Sequence, residues 1–191
     1  TALQDRYDLT STDESVRKNG LKYMKACVKA TVEMGGKTFS GVIYSAIGKK
    51  SDHRPTEQEW EWSAKALKET AKYAQDFGVS LGIEPVNRYE TYLINTCEQG
   101  IKLMNMVGEP NVKIHLDTYH MNIEEKSLTS AIVGAQDFIF HVQVSENDRG
   151  TPGSGQVHWV EFFQVLKAIG YSGSIVVESF LPTVAEIARA V

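Results

Sequence analysis

Short, almost wholly apolar runs alternate along this chain with longer stretches whose apolar residues recur every three or four positions. The runs are Thr38–Tyr44, Val79–Glu84, Val112–Asp117, Phe138–Val144 and Ser174–Ser179. Each is bounded by turn-forming residues, which predicts five strands. The first helical stretch runs from Ser11 to about Met34, with Val16, Leu21, Met24, Val28 and Val32 at three- and four-residue steps. Ser11 and Glu14 read as its capping box and Gly35-Gly36 as its stop. A second helix opens on Pro55-Thr56-Glu57-Gln58-Glu59, with another capping box, and closes at Gly78. A third runs from Cys97 to Val107 between Thr96 and Gly108. Shorter patterns follow at 128–134, 159–169 and 183–190, while Ser45–Arg54, Pro85–Asn95, Thr118–Ser127 and Arg149–Val157 read as loops.

Strand–helix alternation of this kind implies a parallel sheet, because parallel neighbours need a long crossover that is almost always right-handed. Nearly continuous apolar strands fit a sheet covered by helices, as in a TIM barrel. The predicted fold is α/β, of the (β/α)8 TIM-barrel type, as a single domain over residues 1–191. A complete barrel takes about 250 residues. The sequence, starting at Thr1, therefore reads as a barrel lacking roughly its first two to three strands, with Thr1-Ala2-Leu3 as the end of one of them.

Four of the apolar runs end on a group able to bind a cation: Glu84, Asp117, Gln143 and Glu178. These ends lie roughly 30 residues apart, the length of one strand–helix unit. A barrel gathers such ends on its C-terminal face, where the active sites of that fold lie. Three carboxylates and an amide favour a hard or borderline divalent ion. Glu84 and Glu178, from strands not adjacent in sequence, are candidates to face each other across it. Such a pair suits removal of a proton alpha to a carbonyl from one face and its return to the other.

Composition narrows the partners. The 191 residues are 42% hydrophobic and 23% charged, with net charge −4. No Lys/Arg-rich run supports a nucleic-acid or anionic-membrane partner, and no stretch approaches the roughly 18 apolar residues of a membrane span. Cys27 and Cys97 lie far apart in helical patterns and read as buried free thiols of a reducing, cytoplasmic setting. Around the acids, His115 shares the face of Asp117 and reads either as a core histidine or as a partner of the ligands. His120 falls just past the strand, within reach of a substrate hydroxyl. Gln143 shares its face with His141, and periodicity does not choose between them as ligand. Arg149 lies in the loop beyond that strand, where its guanidinium could fork onto substrate oxygens. The polar, aromatic loop after Glu84, with Arg88, Tyr89, Glu90 and Tyr92, suits a sugar. His53 and His158 read as solvated.

Several stretches carry a resemblance. They are Gly82-Ile83-Glu84-Pro85-Val86-Asn87-Arg88-Tyr89-Glu90-Thr91, His115-Leu116-Asp117-Thr118-Tyr119-His120-Met121-Asn122-Ile123-Glu124-Glu125, Ser145-Glu146-Asn147-Asp148-Arg149 with Pro152-Gly153-Ser154-Gly155, and Val177-Glu178-Ser179-Phe180. Together they resemble the D-tagatose/D-psicose 3-epimerase family of metal-dependent sugar epimerases, built on the xylose-isomerase-like barrel. The resemblance implies that Glu84, Asp117, Gln143 and Glu178 hold a divalent metal, Mn²⁺ first, with Co²⁺ or Mg²⁺ as alternatives. It implies that Glu84 and Glu178 are the acid/base pair at C3 of a ketose, that Glu90, His120 and Arg149 contact the ketose oxygens, and that the protein forms a homodimer or homotetramer. The family's 3-epimerases carry His where this chain has Gln143, whereas hydroxypyruvate-isomerase-like relatives carry Gln. The expected activity is epimerisation of a free ketose at C3 through a cis-enediolate. The alternatives are an aldose–ketose isomerase of hydroxypyruvate or xylose type, and an inactive metal-binding barrel fragment. A DNA-repair endonuclease would need more histidine ligands and a basic face.

Overall fold

A computed structural model describes residues 1–180. Six strands lie side by side in chain order: β1 (Ala2–Leu3), β2 (Thr38–Ala46), β3 (Ser80–Ile83), β4 (Val112–Asp117), β5 (Ile139–Val144) and β6 (Ser174–Val177). Every neighbouring pair is parallel. The crossovers carry α1 (Glu14–Glu33), α2 (Glu57–Gln75), α3 (Cys97–Val107), the pair α4 (Thr118–Glu124) and α5 (Leu128–Ala135), and α6 (Trp159–Ala168). This is the expected barrel-type architecture, with a sixth strand, β1, formed by the residues the sequence had placed at a strand's end. The helical pattern over 183–190 lies outside the described residues.

The core forms between the sheet and the inward faces of the helices. Met24 and Val28 of α1, Leu67 and Ala71 of α2, Leu103 and Val107 of α3, Ile132 of α5 and Phe162 of α6 pack in one cluster with Ile43, Leu81, Ile83, Ile114 and Val142 of the strands. The buried stripe of α1 runs Gly20, Met24, Val28, Thr31. Val32, expected on that stripe, is exposed, because a 3.6-residue repeat carries it past the buried face.

Helix caps follow the sequence at α2, where Thr56 and Glu59 form a reciprocal capping box, and at α3, capped by Thr96 and closed by Gly108 in the left-handed conformation. At α1 the cap is Asp13, whose carboxylate accepts from the Ser15 N–H at 2.7 Å. Ser11 instead receives the Asp13 N–H, and Glu14 pairs with Lys18 one turn along. Residues 118–127, expected as a loop, contain α4. Asp117 caps it by accepting from the Tyr119 N–H at 2.8 Å.

Beyond β1, a buried polar cluster ties the chain's start to β2. The Asp8 carboxylate accepts from the Thr10 N–H, the Thr10 hydroxyl and the Ala46 N–H, and pairs with Lys49 at 2.8 Å. Although burial opposes its ionisation, Lys49 and Thr10 hold its pKa below the ordinary aspartate value. The other end of the sheet differs: all four residues of β6 are exposed.

Candidate metal and substrate site

The four candidate ligands stand at or just beyond the C-terminal ends of consecutive strands. Glu84 follows β3, and its backbone is pinned on both sides. Its N–H donates to the Gly41 carbonyl, and its own carbonyl accepts from the buried Tyr44 hydroxyl at 3.0 Å. Asp117 closes β4 and is fully buried. Gln143 lies opposite Asp117 in the β4–β5 register, whereas His141 lies opposite His115, one step deeper along the strand. Glu178 follows β6, and its N–H donates to the Val144 carbonyl.

Below these groups the sheet is kept narrow at Gly82. A side chain there would collide with the Ser40 hydroxyl and the Phe140 ring. The space admits the Ser40–His115 contact, 2.8 Å between Oγ and Nδ1. His115 is buried, 3.6 Å from Glu84 Oε2 through the same nitrogen, and its ring meets His141 edge-on. Burial and the neighbouring His141 push its pKa down to about 3, so it is a neutral partner of Glu84.

Negative charge is crowded here. Burial, then Asp117 and Glu178, raise the pKa of Glu84 to about 8. Burial and the adjacent Asp117 raise that of Glu178 to about 7. Asp117 is lowered despite its burial, because Arg149 and His120 stand beside it. Arg149 is the local counter-charge. Its Nη1 lies 2.5 Å from Asp117 Oδ2 and 3.0 Å from Glu178 Oε2, its Nη2 is 2.9 Å from His120 Nε2, and its guanidinium covers the Tyr119 ring. The backbone at Arg149 adopts φ 65°, a left-handed conformation uncommon for a residue with a side chain.

The donor set fits a divalent cation. Ligand atoms of Glu84, Asp117 and His120 all lie within 4.8 Å of one another. Gln143 Oε1 is buried without a hydrogen-bond partner, and a buried amide oxygen left unpaired is costly. Two carboxyls with raised pKa values and one orphaned oxygen describe a pocket with more negative charge than Arg149 alone offsets.

His120 sits in α4 rather than in a loop, almost fully buried, with its pKa pushed down to about 4 by burial. Glu90 is partly exposed and accepts from the Asn87 amide at 2.9 Å. Arg88 and Tyr92, grouped with the sugar-binding loop in the sequence, turn elsewhere. Arg88 grips Glu124 through two guanidinium nitrogens, and the Tyr92 hydroxyl joins Thr10 and Glu59. Tyr89 is 77% exposed. His53 and His158 are exposed, and Cys27 and Cys97 are free thiols. Sequence reasoning gave no role to Ser40, Tyr44, Asn87 or Tyr119. Ser40 and Tyr44 lie on an apolar strand with no charge to mark them, so only the cross-strand register brings them to the site.

The family described as the xylose isomerase-like TIM barrel matches residues 1–190. An L-ribulose 3-epimerase of Methylomonas sp. (strain DH-1) is 39% identical over 173 residues, covering 91% of this chain and 60% of its own length. A ketose 3-epimerase of Arthrobacter globiformis is 40% identical over 182 residues, covering 95% of this chain and 63% of its own length. Among solved structures, a D-allulose 3-epimerase from Methylomonas sp. superposes with a TM-score of 0.93 at 35% identity, over 99% of this chain and 66% of that one. A D-psicose 3-epimerase with D-tagatose, from Clostridium cellulolyticum H10, gives 0.89 at 36% identity, over 94% and 62%. The chain spans about three fifths of the length of the curated relatives it matches. Matched from residue 1 to residue 190, and built of parallel strands whose C-terminal ends carry the acids, the chain belongs to the xylose isomerase-like TIM barrel family.

Proposed function

We propose that the chain carries the site of a metal-dependent ketose 3-epimerase, which inverts C3 of a free ketose. The observation that carries this reading is the cluster of ligand atoms of Glu84, Asp117 and His120 within 4.8 Å of one another, with Arg149 bridging Asp117 to Glu178 and the Gln143 amide oxygen buried and unpaired. Relatives of the same family named as ketose, L-ribulose and D-psicose 3-epimerases support it.

Glu84, Asp117, Gln143 and Glu178 would hold the ion, Mn²⁺ first, with Co²⁺ or Mg²⁺ as alternatives. When bound, the ion would supply Lewis-acid polarisation of the ketose carbonyl and favour the ionised form of the glutamate that acts as base. Glu84 and Glu178 come from β3 and β6, with β4 and β5 between them, so they address the substrate from different sides. One, as the carboxylate, takes the C3 proton, leaving a cis-enediolate, and the other, in its protonated form, delivers its proton to the opposite face. In the metal-free chain burial and neighbouring carboxyls raise the pKa of both. Arg149, His120 and Glu90 hold the ketose oxygens. His115 and Ser40 steady the carboxyl of Glu84 from below. A homodimer or homotetramer and a cytoplasmic setting belong to the same reading. Among the described residues no helix is long and apolar enough to cross a membrane.

The test is product analysis of the Mn²⁺-loaded chain given D-fructose, D-psicose and D-tagatose. The C3-epimeric ketose is the expected product, and an aldose would move the site to the aldose–ketose isomerases. Glu84→Gln and Glu178→Gln should each abolish turnover, and turnover retained by either removes the acid/base assignment.

A further inference from the structure

His120 presents its two ring nitrogens to opposite surroundings. Nδ1 faces the loop after β3, where the Asn87 backbone N–H approaches it at 3.1 Å and the Asn87 side-chain nitrogen at 2.9 Å. Nε2 faces the site, 3.9 Å from Glu84 Oε1 and from Asp117 Oδ2, and 2.9 Å from Arg149 Nη2.

The orientation of the Asn87 amide is fixed by its other contacts. Its Oδ1 accepts from the Tyr89 N–H at 3.0 Å, and its Nδ2 reaches the Glu90 carboxylate at 2.9 Å. Flipping the amide would set its oxygen against that carboxylate and its NH₂ against a backbone donor. The group facing Nδ1 is therefore NH₂, and the second donor there is a backbone N–H that cannot change role. Asn87 is 1% exposed, so no solvent competes for these bonds.

From this we infer that Asn87 is a positioning residue, locking His120 as the Nε2–H tautomer. In that form His120 is a hydrogen-bond donor to a substrate oxygen and is kept out of the metal's coordination sphere. A metal-ligating Nε2 needs a lone pair, hence a proton on Nδ1, and that proton would meet two donors. An imidazolium would meet the same conflict. Geometry alone makes His120 a candidate ligand beside Glu84 and Asp117; Asn87 removes it from that set. Arg149 cannot accept a hydrogen bond either, so its approach to Nε2 opposes the Nε2–H tautomer. Of the two opposing groups, the guanidinium sits on a long, rotatable side chain, whereas the Asn87 N–H is main chain. Arg149, whose Nη1 stays bonded to Asp117 and Glu178, is the partner whose Nη2 gives way.

The donor role toward substrate rests on the ketose reading; the tautomer does not. The experiment is side-chain ¹⁵N NMR of the histidine-labelled chain in the absence of substrate, with the His120 signals identified by their loss in His120→Gln. A protonated ring nitrogen resonates far upfield of an unprotonated one, so the two tautomers are distinguished directly. The expected result is a protonated Nε2 and an unprotonated Nδ1, unchanged when diamagnetic Mg²⁺ is added. Asn87→Asp places an acceptor where the amide donor stood, leaving only the main-chain N–H against Nδ1, and should shift the tautomer balance toward Nδ1–H, with backbone amide shifts elsewhere preserved. A wild-type chain protonated at Nδ1, a proton that leaves Nε2 when Mg²⁺ binds, or an Asn87→Asp chain with unchanged ring shifts would each overturn the assignment. Absence of epimerase turnover would touch the ketose reading alone.

Discussion

The two glutamates of the site stand in unlike settings. Glu84 follows a central strand with neighbours on both sides, is 8% exposed, and has its main chain held by Gly41 and Tyr44. Glu178 follows β6, whose residues are all exposed, including Ile175, Val176 and Val177. Burial is the first cause of the raised pKa at both, followed at Glu84 by Asp117 and Glu178 and at Glu178 by the adjacent Asp117. Among the described residues, one side of the site is enclosed by packed strands and the other lies on the outermost strand of the sheet. Two carboxyls of one candidate site can thus be alike in chemistry and unequal in their surroundings.

The sharpest way to break this comparison is to neutralise each glutamate. Both Glu84→Gln and Glu178→Gln should lower turnover by about 10³–10⁴-fold, since each removes a proton-transfer group. Their effects on the metal-free fold should diverge. Glu84→Gln relieves a buried, crowded carboxyl and should stabilise the chain by about 1–2 kcal/mol in thermal melts. Glu178→Gln, at the more open position, should change it less. Equal stabilisation would contradict the contrast between enclosed side and edge.

The next effect tests the foundation of the enclosed side. Asp8→Asn removes the charge that joins Thr10, Ala46 and Lys49 and should cost about 2–3 kcal/mol at neutral pH, several degrees in melting temperature. The sign with pH follows from the lowered pKa. The stabilisation is present above the ordinary aspartate value and is lost as pH falls through the depressed folded value. Wild type and variant should therefore converge in acid, and a constant difference across that range would rule the ion pair out as the cause. Tyr44→Phe takes a donor from the buried carbonyls of Glu84 and Ile94 and should cost about 1–2 kcal/mol in denaturant unfolding. The smallest change belongs to the edge. Ile175→Lys should alter stability by no more than about 0.5 kcal/mol while reducing self-association seen by light scattering, since a charged residue blunts an exposed strand edge.

How far the sequence foretold this depended on the range of the interaction. The apolar runs that became β2 to β6 and the Thr56 and Thr96 caps were legible because each is a local pattern. α4 was not: its seven residues are too few for periodicity, and its cap, Asp117, also closes a strand, where an acid serves equally as a ligand or as a helix cap. Similarly, cross-strand register sets Gln143 level with Asp117 and His141 level with His115, and a two-residue repeat along one strand holds no such information. Asn87 lay within a recognisable stretch, but its importance comes from contact with a side chain 33 positions away.

The central claim, that Glu84 and Glu178 move a proton on and off C3 beside a divalent ion, is tested most directly by isotope incorporation. The Mn²⁺-loaded chain would be incubated with D-fructose, D-psicose and D-tagatose in deuterated water, and the sugars analysed by NMR. The account predicts deuterium at C3 of an epimerised ketose, dependent on the metal and absent in both Gln variants. Deuterium at C1 or C2 with an aldose product, or no incorporation by a chain that binds the metal tightly, would contradict it.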